Sequence, residues 1–451
     1  MKKIQEIINH LKNFGFVFQG SEIYGGLANT WDYGPIGTLL FKRLKEFWWF
    51  EFINKERNMF GLDSKILMNP NVWHASGHVD NFSDPLIENK NNNKRYRADH
   101  IIEELFKDVN VSKMSKLEME QFIKVNVPYY DNSPTNWSEI KHFNLMFETH
   151  QGVVEDKKNK IYLRPETAQG IFINFKNVQR TMRAKLPFGI GQIGKSFRNE
   201  VTPGNFIFRT REFEQMELEI FDFPETSFET FKKYVDKSYN FLLKLGINKE
   251  NLRIKEHSKD ELAHYSVATS DIEYLFPFGW GELLGIAHRG DFDLSSHMKH
   301  SNESLEYFDP VQNKKIIPHI IEPSMGADRL MFALLIDAYN EEELTNDDKR
   351  IVLKLDKKIV PFTVAVLPLV KKLSDKALEI FDSLVNANFS VDYDEVGSIG
   401  KRYRRQDAIG TFYCITIDYD TIEDLKVTIR HRDTMKQERI DISEIQKYLR
   451  I

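Results

Sequence analysis

Cysteine is almost missing from this 451-residue chain: Cys414 stands alone. A single thiol excludes an intrachain disulfide and a cysteine-built zinc site, so no zinc is expected. Long apolar runs are missing as well. The longest, Ile359–Val370, contains Pro361 and Pro368 and falls far short of the ~20 residues a membrane-crossing helix needs. The opening residues, Met1-Lys2-Lys3-Ile4-Gln5-Glu6, lead into helical spacing without the apolar core of a secretion signal. A cytoplasmic protein without a membrane partner is expected. Two nucleotide signatures are absent too. There is no Gly-x-x-x-x-Gly-Lys-Ser/Thr loop and no Gly-x-Gly-x-x-Gly after a strand, so neither a P-loop nor a Rossmann site is supported. The formal charge of −5 argues against a chain that coats nucleic acid with its whole surface, but leaves room for a local basic face.

What is present describes a folded enzyme. Charged residues make up 29% and aromatics 13%, and the length predicts two or three domains. Residues 4–14 read as an amphipathic helix and Phe16-Val17-Phe18 as a strand. Gly34-Pro35 then punctuates a turn before a long helix, Thr38 to Asn54, whose apolar residues run all round it. Burial in the chain's own core and burial across a dimer interface explain that excess equally well. Residues 80–160 are more polar, contain an amphipathic run from Ile101 to Val125, and read as an inserted module. Residues 226–275 read as a helical, lysine-rich segment, and Asn340–Lys358 as a charged linker. Beyond it, strands and helices alternate, which predicts a small α/β sheet. Lys401, Arg402, Arg404 and Arg405 cluster there beside Tyr403, with Arg430 and Arg432 on a later strand.

Chemistry concentrates in a few motifs. Phe197-Arg198-Asn199-Glu200 enters a turn at Pro203-Gly204-Asn205, and the chain returns from Phe206-Ile207-Phe208 through Arg209, Arg211 and Glu212 to Ile220. Such a hairpin sets Arg198 near Arg209, and two fixed cations suit a polyphosphate. Downstream, strand Ile317–Ile321 leads through Glu322-Pro323-Ser324-Met325-Gly326-Ala327-Asp328-Arg329 into the helix Leu330–Tyr339, an anion-binding arrangement. Arginines and carboxylates without an obvious nucleophile fit displacement at a phosphorus, which needs positioning and charge neutralisation.

These motifs resemble those of the glycyl-tRNA synthetases of the dimeric bacterial type, within class II of the aminoacyl-tRNA synthetases. The likeness extends over nearly the whole chain. Gly34-Pro35 with its helix is similar to the first class motif, Phe197–Phe213 to the second and Gly326–Arg329 to the third. Arg164-Pro165-Glu166-Thr167-Ala168-Gln169-Gly170, Gln215-Met216-Glu217 and Glu322-Pro323-Ser324 carry the glycine-specific signal. The resemblance implies an α+β fold: an antiparallel-sheet catalytic domain over 1–350 with helical insertions, then an α/β anticodon-binding domain over 359–451. It implies ATP-dependent ligation of glycine to tRNA(Gly) by a homodimer, with Mg²⁺ carried by ATP.

Roles follow from the resemblance position by position. Arg198, Arg329 and Glu282 would form the catalytic set. Arg198 would hold the α-phosphate and the glycine carboxylate, Arg209 and Arg329 the β- and γ-phosphates, and Glu282 with the backbone at Leu283 the magnesium. Phe213 would stack on adenine and Glu200 meet its edge. Asn199, Phe208, Thr210, Arg211, Glu212, Gly326, Ala327 and Asp328 would complete the ATP site. Glu166, Glu217 and Ser324 would surround the glycine ammonium, with Arg97 and Glu322 nearby. Phe213, Glu214, Gln215, Met216, Pro323, Met325 and Gly326 would complete that pocket. Lys401, Arg402, Tyr403, Arg404, Arg405, Arg430 and Arg432 would face the anticodon. Glu219 is read as an outward-facing strand residue, and His288 and His297 as structural. Phe412 departs from the proline that relatives carry after Gly410-Thr411. A class II synthetase for another small amino acid, and a catalytically inactive nucleic-acid-binding relative, are the alternatives.

Overall fold

Seven strands build the central sheet of the computed structural model, which describes residues 2–111, 114–152, 159–201, 204–259, 261–263, 265–344 and 349–450. In chain order they are β1 (Met59–Gly61), β2 (Phe188–Phe197), β3 (Glu212–Asp222), β4 (Leu252–Glu256), β5 (Ala268–Phe276), β6 (Gly279–Gly290) and β7 (His319–Gly326). They lie in the order β4-β5-β6-β7-β3-β2-β1. All neighbours are antiparallel except β1 with β2. With the helices that cover it, the sheet is the α+β architecture expected.

The middle strand shows why the site forms where it does. Alternation along β3 sends Met216, Leu218 and Ile220 into the main hydrophobic core. Gln215, Glu217 and Glu219 alternate to the opposite face, and they are buried as well. Helices α1 (Lys2–Asn13), α2 (Pro35–Trp49), α3 (Ser227–Lys244) and α4 (Ala327–Ala338) all feed that core. Gly34 caps α2 and Pro35 opens it, a position where the missing N–H costs nothing. A single π turn, Phe50–Asn54, continues α2. Leu40, Phe41, Leu44, Trp48, Phe52 and Ile53 are buried within this one chain, while Phe50 stays half-exposed.

Around 80–160, three short strands (Ser83–Asn89, Lys94–Arg97, Lys141–Asn144) and two helices (Ala98–Leu105, Lys116–Asn126) enclose a separate small core. The amphipathic run from Ile101 to Val125 is therefore two helices, not one.

Four expectations need correction. The return arm of the hairpin is no strand at Phe206–Phe208, which forms a 3₁₀ turn. Asn205 and Phe206 take positive φ there, and the strand begins only at Glu212. Pro203 lies outside the described residues. Second, 226–275 is α-helical only to Lys244; a 3₁₀ turn at Lys249–Asn251, β4 and most of β5 follow, with Ile272, Tyr274 and Phe276 buried at period two. Third, Glu322–Gly326 is no turn. It is the continuation of β7, because Gly326 is extended and passes straight into α4. Fourth, the supposed linker forms a hairpin, Tyr339–Glu343 with Lys349–Leu353.

The last sheet holds β8 (Val364–Pro368), β9 (Val391–Tyr393), β10 (Tyr413–Ile417), β11 (Lys426–His431) and β12 (Gln437–Asp441), ordered β9-β8-β10-β11-β12. Helices α5 (Ser374–Asn386) and α6 (Ile399–Ile409) join it. Edge strand β12 and the helix Ile445–Arg450 were not foreseen. Four of the five β12 residues are exposed, which leaves no apolar pattern to read.

Candidate active site

Most residues of the Arg164–Gln169 stretch build one corner of the site, while Ala168 packs into a hydrophobic core. Arg164 is buried and donates to the carbonyls of Lys195 (2.7 Å) and Ser64 (2.8 Å). A Cβ at position 194 would stand 2.2 Å from this guanidinium, so Gly194 makes the seat possible. The Pro165 carbonyl accepts from Arg198 Nε at 3.1 Å. That bond aims the Arg198 guanidinium between Phe82 and Phe213, 5.4 Å from each ring centre.

Arg198 borders two adjoining cavities. The first, about 140 Å³, is lined by Arg198, Glu200, Arg209, Phe213, Glu282 and Arg329 among others. Arg329 donates to the Glu282 carbonyl at 2.8 Å and lies 4.3 Å over the Phe208 ring. Arg209 Nη1 stands 3.5 Å from the Glu200 carboxylate. Three guanidiniums converging beside an aromatic ring make a receptor for a polyphosphate joined to a flat base.

The second cavity, about 280 Å³, shares Arg198, Gln215, Glu282 and Ser324 with the first and is dominated by carboxylates. Glu217 accepts from Gln215 Nε2 (2.8 Å), Ser324 Oγ (2.7 Å) and the Thr167 amide (3.1 Å), and from the Thr167 hydroxyl. Register explains the Ser324 contact, since β3 sets Glu217 directly opposite it on β7. Glu166 accepts from Gln169 Nε2 at 2.9 Å and faces His78 at 3.4 Å. Burial alone would raise its carboxyl. His78, Arg289 and Gln169 outweigh that and hold it well below the carboxylate range. Burial and the neighbouring Glu166 push Glu217 the other way. Such a cavity suits a small cation, whose charge its buried carboxylates compensate.

Several expected residues do not reach either cavity. Glu212, Glu214 and Met216 alternate to the far face of β3: Glu212 pairs with Lys195, Glu214 with Lys45, and Met216 enters the core. Pro323 and Ala327 are likewise absent from both linings, and so are Asn199 and Arg211. Asn199 contributes its amide to the Leu145 carbonyl, and Arg211 grips the Glu200 carbonyl. Asp328 lines the first cavity but is spent on Tyr33 Oη (2.6 Å) and the Glu214 amide (2.7 Å). Arg97 is held by Asp84 and Asp99 and lines neither cavity. Leu283, Thr210, Phe208, Met325 and Gly326 do line the first cavity.

Other functional residues went unforeseen. Arg289, at the end of β6, is buried and binds Asp293 through two nitrogens (2.7 and 2.9 Å) and Glu322 through the third (2.9 Å). Gln169 bridges Glu166 to Asp293, and His297 in turn holds Gln169 at 2.8 Å. Arg289 and Asp293 stand four residues apart after an apolar strand, a signal that was available. Glu219 is corrected too: it is wholly buried, not outward. Its alternation with Glu217 on β3 was the clue.

In the last domain the expected basic face is mostly internal. Arg402 is buried and donates to the carbonyls of Pro368 and Leu369. Buried Arg430 binds Asp407 through two nitrogens, and buried Arg432 binds the Gly410 and Leu355 carbonyls. These three hold the domain together and do not meet solvent. Tyr403 hydrogen-bonds Thr416 under Arg430, and Arg405 is held by Asp394. Lys401 is exposed and Arg404 is half-buried.

The fold and this pair of cavities define a class II aminoacyl-tRNA synthetase. Residues 147–338 match the family described as "tRNA synthetase class II core domain (G, H, P, S and T)", and residues 363–450 the "Anticodon binding domain". The chain is 65% identical over 447 residues to the glycine–tRNA ligase of Mycoplasmopsis synoviae, covering 99% of each chain. It is 57% identical to that of Clostridium acetobutylicum (99% and 98% covered) and 55% identical to that of Mesoplasma florum (99% of each). The chain belongs to the glycine–tRNA ligase family.

Proposed function

We propose that this chain is a glycine–tRNA ligase that carries out both half-reactions in the cavities described. Glycine's carboxylate oxygen attacks the α-phosphorus of ATP, the bond to the bridging oxygen breaks, and pyrophosphate leaves with that electron pair. A tRNA ribose hydroxyl then attacks the glycyl carbonyl, the bond from that carbon to the phosphate oxygen breaks, AMP departs with its electron pair, and the hydroxyl proton goes to solvent. The observation that carries the reading is Arg198 standing between a guanidinium-lined cavity and a carboxylate-lined one. There it neutralises charge on both reacting groups at once. Arg209 and Arg329 clamp the outer phosphates, and Phe213 stacks on the base. Glu217, Glu166 and Ser324 take the ammonium.

Glu282 fits a magnesium ion held mainly by phosphate oxygens. Its side chain is half-exposed at the mouth of the first cavity, and a single carboxylate suffices for such an ion. When bound there, Mg²⁺ neutralises polyphosphate charge. Lys401, with Arg404 and Arg405, is the part of the basic cluster that reaches toward the anticodon. The catalytic domain spans about 1–350 and the anticodon-binding domain 359–451, and two copies form a homodimer.

A hydrophobic pocket separates substrates differing by one methyl by only about 1–3 kcal/mol. Walls of buried, hydrogen-bonded carboxylates cannot shift to admit one, so discrimination should be sharper. ATP–pyrophosphate exchange measured with glycine, alanine and serine tests this: exchange should depend on glycine. Faster exchange with alanine would overturn the specificity. No exchange with any of the three would favour a nucleic-acid-binding relative without the activation step.

A further inference from the structure

Behind the carboxylate cavity, against Glu322 of its lining, stands a further acid for which the described residues supply no donor. Glu219 is wholly buried, and neither of its carboxylate oxygens accepts a hydrogen bond from an N–H or O–H group among the described residues. Strand register says what it faces. β3 pairs with β7 as Glu217↔Ser324 and as Ile220↔Ile321. The positions between these pairs set Glu219 opposite Glu322, where antiparallel neighbours bring their side chains together.

The surrounding charges are already taken. Arg289 on β6 gives two of its nitrogens to Asp293 and the third to Glu322. Glu217 on β3 is held by Thr167, Gln215 and Ser324. Glu166, ahead of the Ala168–Phe172 helix, is held by Gln169 and faces His78. Arg198 is turned to the Pro165 carbonyl, and Tyr265 lies against the Arg289 guanidinium, its ring centre 4.0 Å away. Among the described residues no cation is left to pair directly with Glu219. Two carboxylates opposed in a dry interior do not both ionise; they share a proton. Burial, then the facing Glu322, push Glu219 upward, and burial does the same to Glu322 against the pull of Arg289.

We propose that Glu219 and Glu322 keep one proton between them in the ligand-free pocket and release it to solvent when a substrate's ammonium group enters. The inference rests on the reading that this cavity takes the amine of glycine. The balance is simple: an O–H bond breaks, the proton goes to water, no covalent bond to substrate forms, and one positive charge replaces another. Glu219 acts through Glu322 and is a positioning residue. A ligand without a cation leaves the proton where it is, so the pair rewards an amine and not merely a small carboxylate.

Calorimetric titration of glycine into the full chain at about pH 7, repeated in buffers of different ionisation enthalpy, counts the protons. Free glycine is a zwitterion there and contributes none itself. Release of about one proton per glycine is expected, and none with glycolate, which has the carboxylate but no amine. Glu219→Gln should still bind glycine while losing the release, and its KM for glycine should lose the pH dependence of the wild type. Glycine binding without proton release, or equal release by Glu219→Gln, would overturn the proposal. If that variant fails to fold, the wild-type count still decides. Absence of any glycine binding would instead sink the glycine reading of the cavity, so the two failures are distinct.

Discussion

Asp328 shows how one residue of a recognisable motif can serve chemistry without touching it. The second residue of α4, it is buried, takes a hydrogen bond from Tyr33 Oη and another from the Glu214 amide, and so ties the N-terminus of α4 to strand β3. Arg329 follows it immediately, so the reach of that guanidinium over Phe208 depends on the tie. Burial raises the Asp328 carboxyl to about 6, against the pull of its two donors. That lies above the ~3.9 of an unfolded aspartate, so the folded chain binds this proton more tightly. The stability contributed by the group is therefore fully present below about pH 3.9 and is lost as pH rises through its folded value. Comparing unfolding of wild type and Asp328→Asn isolates it. The wild type should lose about 3 kcal/mol relative to the variant between about pH 3 and pH 7. A flat difference would mean that the carboxylate is ionised throughout. Activity should report the tie separately, as a raised KM for ATP in Asp328→Asn with the KM for glycine little changed.

At the level of elements, the hairpin Tyr339–Glu343/Lys349–Leu353 joins the catalytic sheet to the last domain. Arg350 on its second strand is fully buried and donates to Asp407 on α6 (2.8 Å) and to Glu342 (2.7 Å). Asp407 also takes both nitrogens of Arg430 on β11. One buried carboxylate thus holds two guanidiniums, and removing it strands Arg430 and leaves Arg350 with Glu342 alone as its acid. Asp407→Ala should cost about 3–5 kcal/mol in denaturant unfolding. Aminoacylation of tRNA should suffer more than ATP–pyrophosphate exchange, because the domain shifts while the catalytic cavities keep their own walls. A loss below about 1 kcal/mol would mean that the network is solvated. The same network marks where reading by sequence stopped. Glu166, Arg198, Glu217, Ser324 and Arg329, which line the two cavities, were legible because each sits in a short motif. Arg430 looks the same in sequence whether it faces an anticodon or Asp407, 23 residues away, and Arg432 does not announce the Gly410 and Leu355 carbonyls, 22 and 77 residues away. Glu212, Glu214 and Met216 were misplaced for a simpler reason: motifs are contiguous, whereas a strand sends only alternate residues to the site. Glu219 fails the other way, because a buried carboxylate without a donor contradicts every default for a charged strand residue.

For the whole molecule, the open question of surface is the loop between the strands Val17–Gln19 and Trp31–Tyr33. Ile23 is 89% exposed, Tyr24 87% and Leu27 55%. Adjacent exposed apolar residues on one loop mark a contact surface, and the proposed homodimer supplies a partner for it. The loop is also connected to the chemistry. The Asn29 carbonyl accepts from the Arg211 amide at 3.0 Å, and the Ala28 carbonyl from its guanidinium at 3.4 Å. Arg211 in turn holds the Glu200 carbonyl at 3.2 Å, and Glu200 lines the first cavity. A second copy seated on Ile23 and Tyr24 would therefore fix the backbone that positions Arg211, and through it Glu200, in the first copy. Two consequences should appear together. Native mass measurement of the full chain should give twice the mass of one chain, and the double substitution Ile23→Asp/Tyr24→Asp should shift it to a single copy. The same variant should show a several-fold higher KM for ATP, while its KM for glycine, proposed to be set by the carboxylate-lined cavity, stays unchanged. A variant that stays dimeric would move the interface elsewhere, to the half-exposed end of α2 at Phe50. A monomer with unchanged ATP kinetics would separate assembly from the positioning of Glu200, leaving the Arg211 contacts to act within one chain.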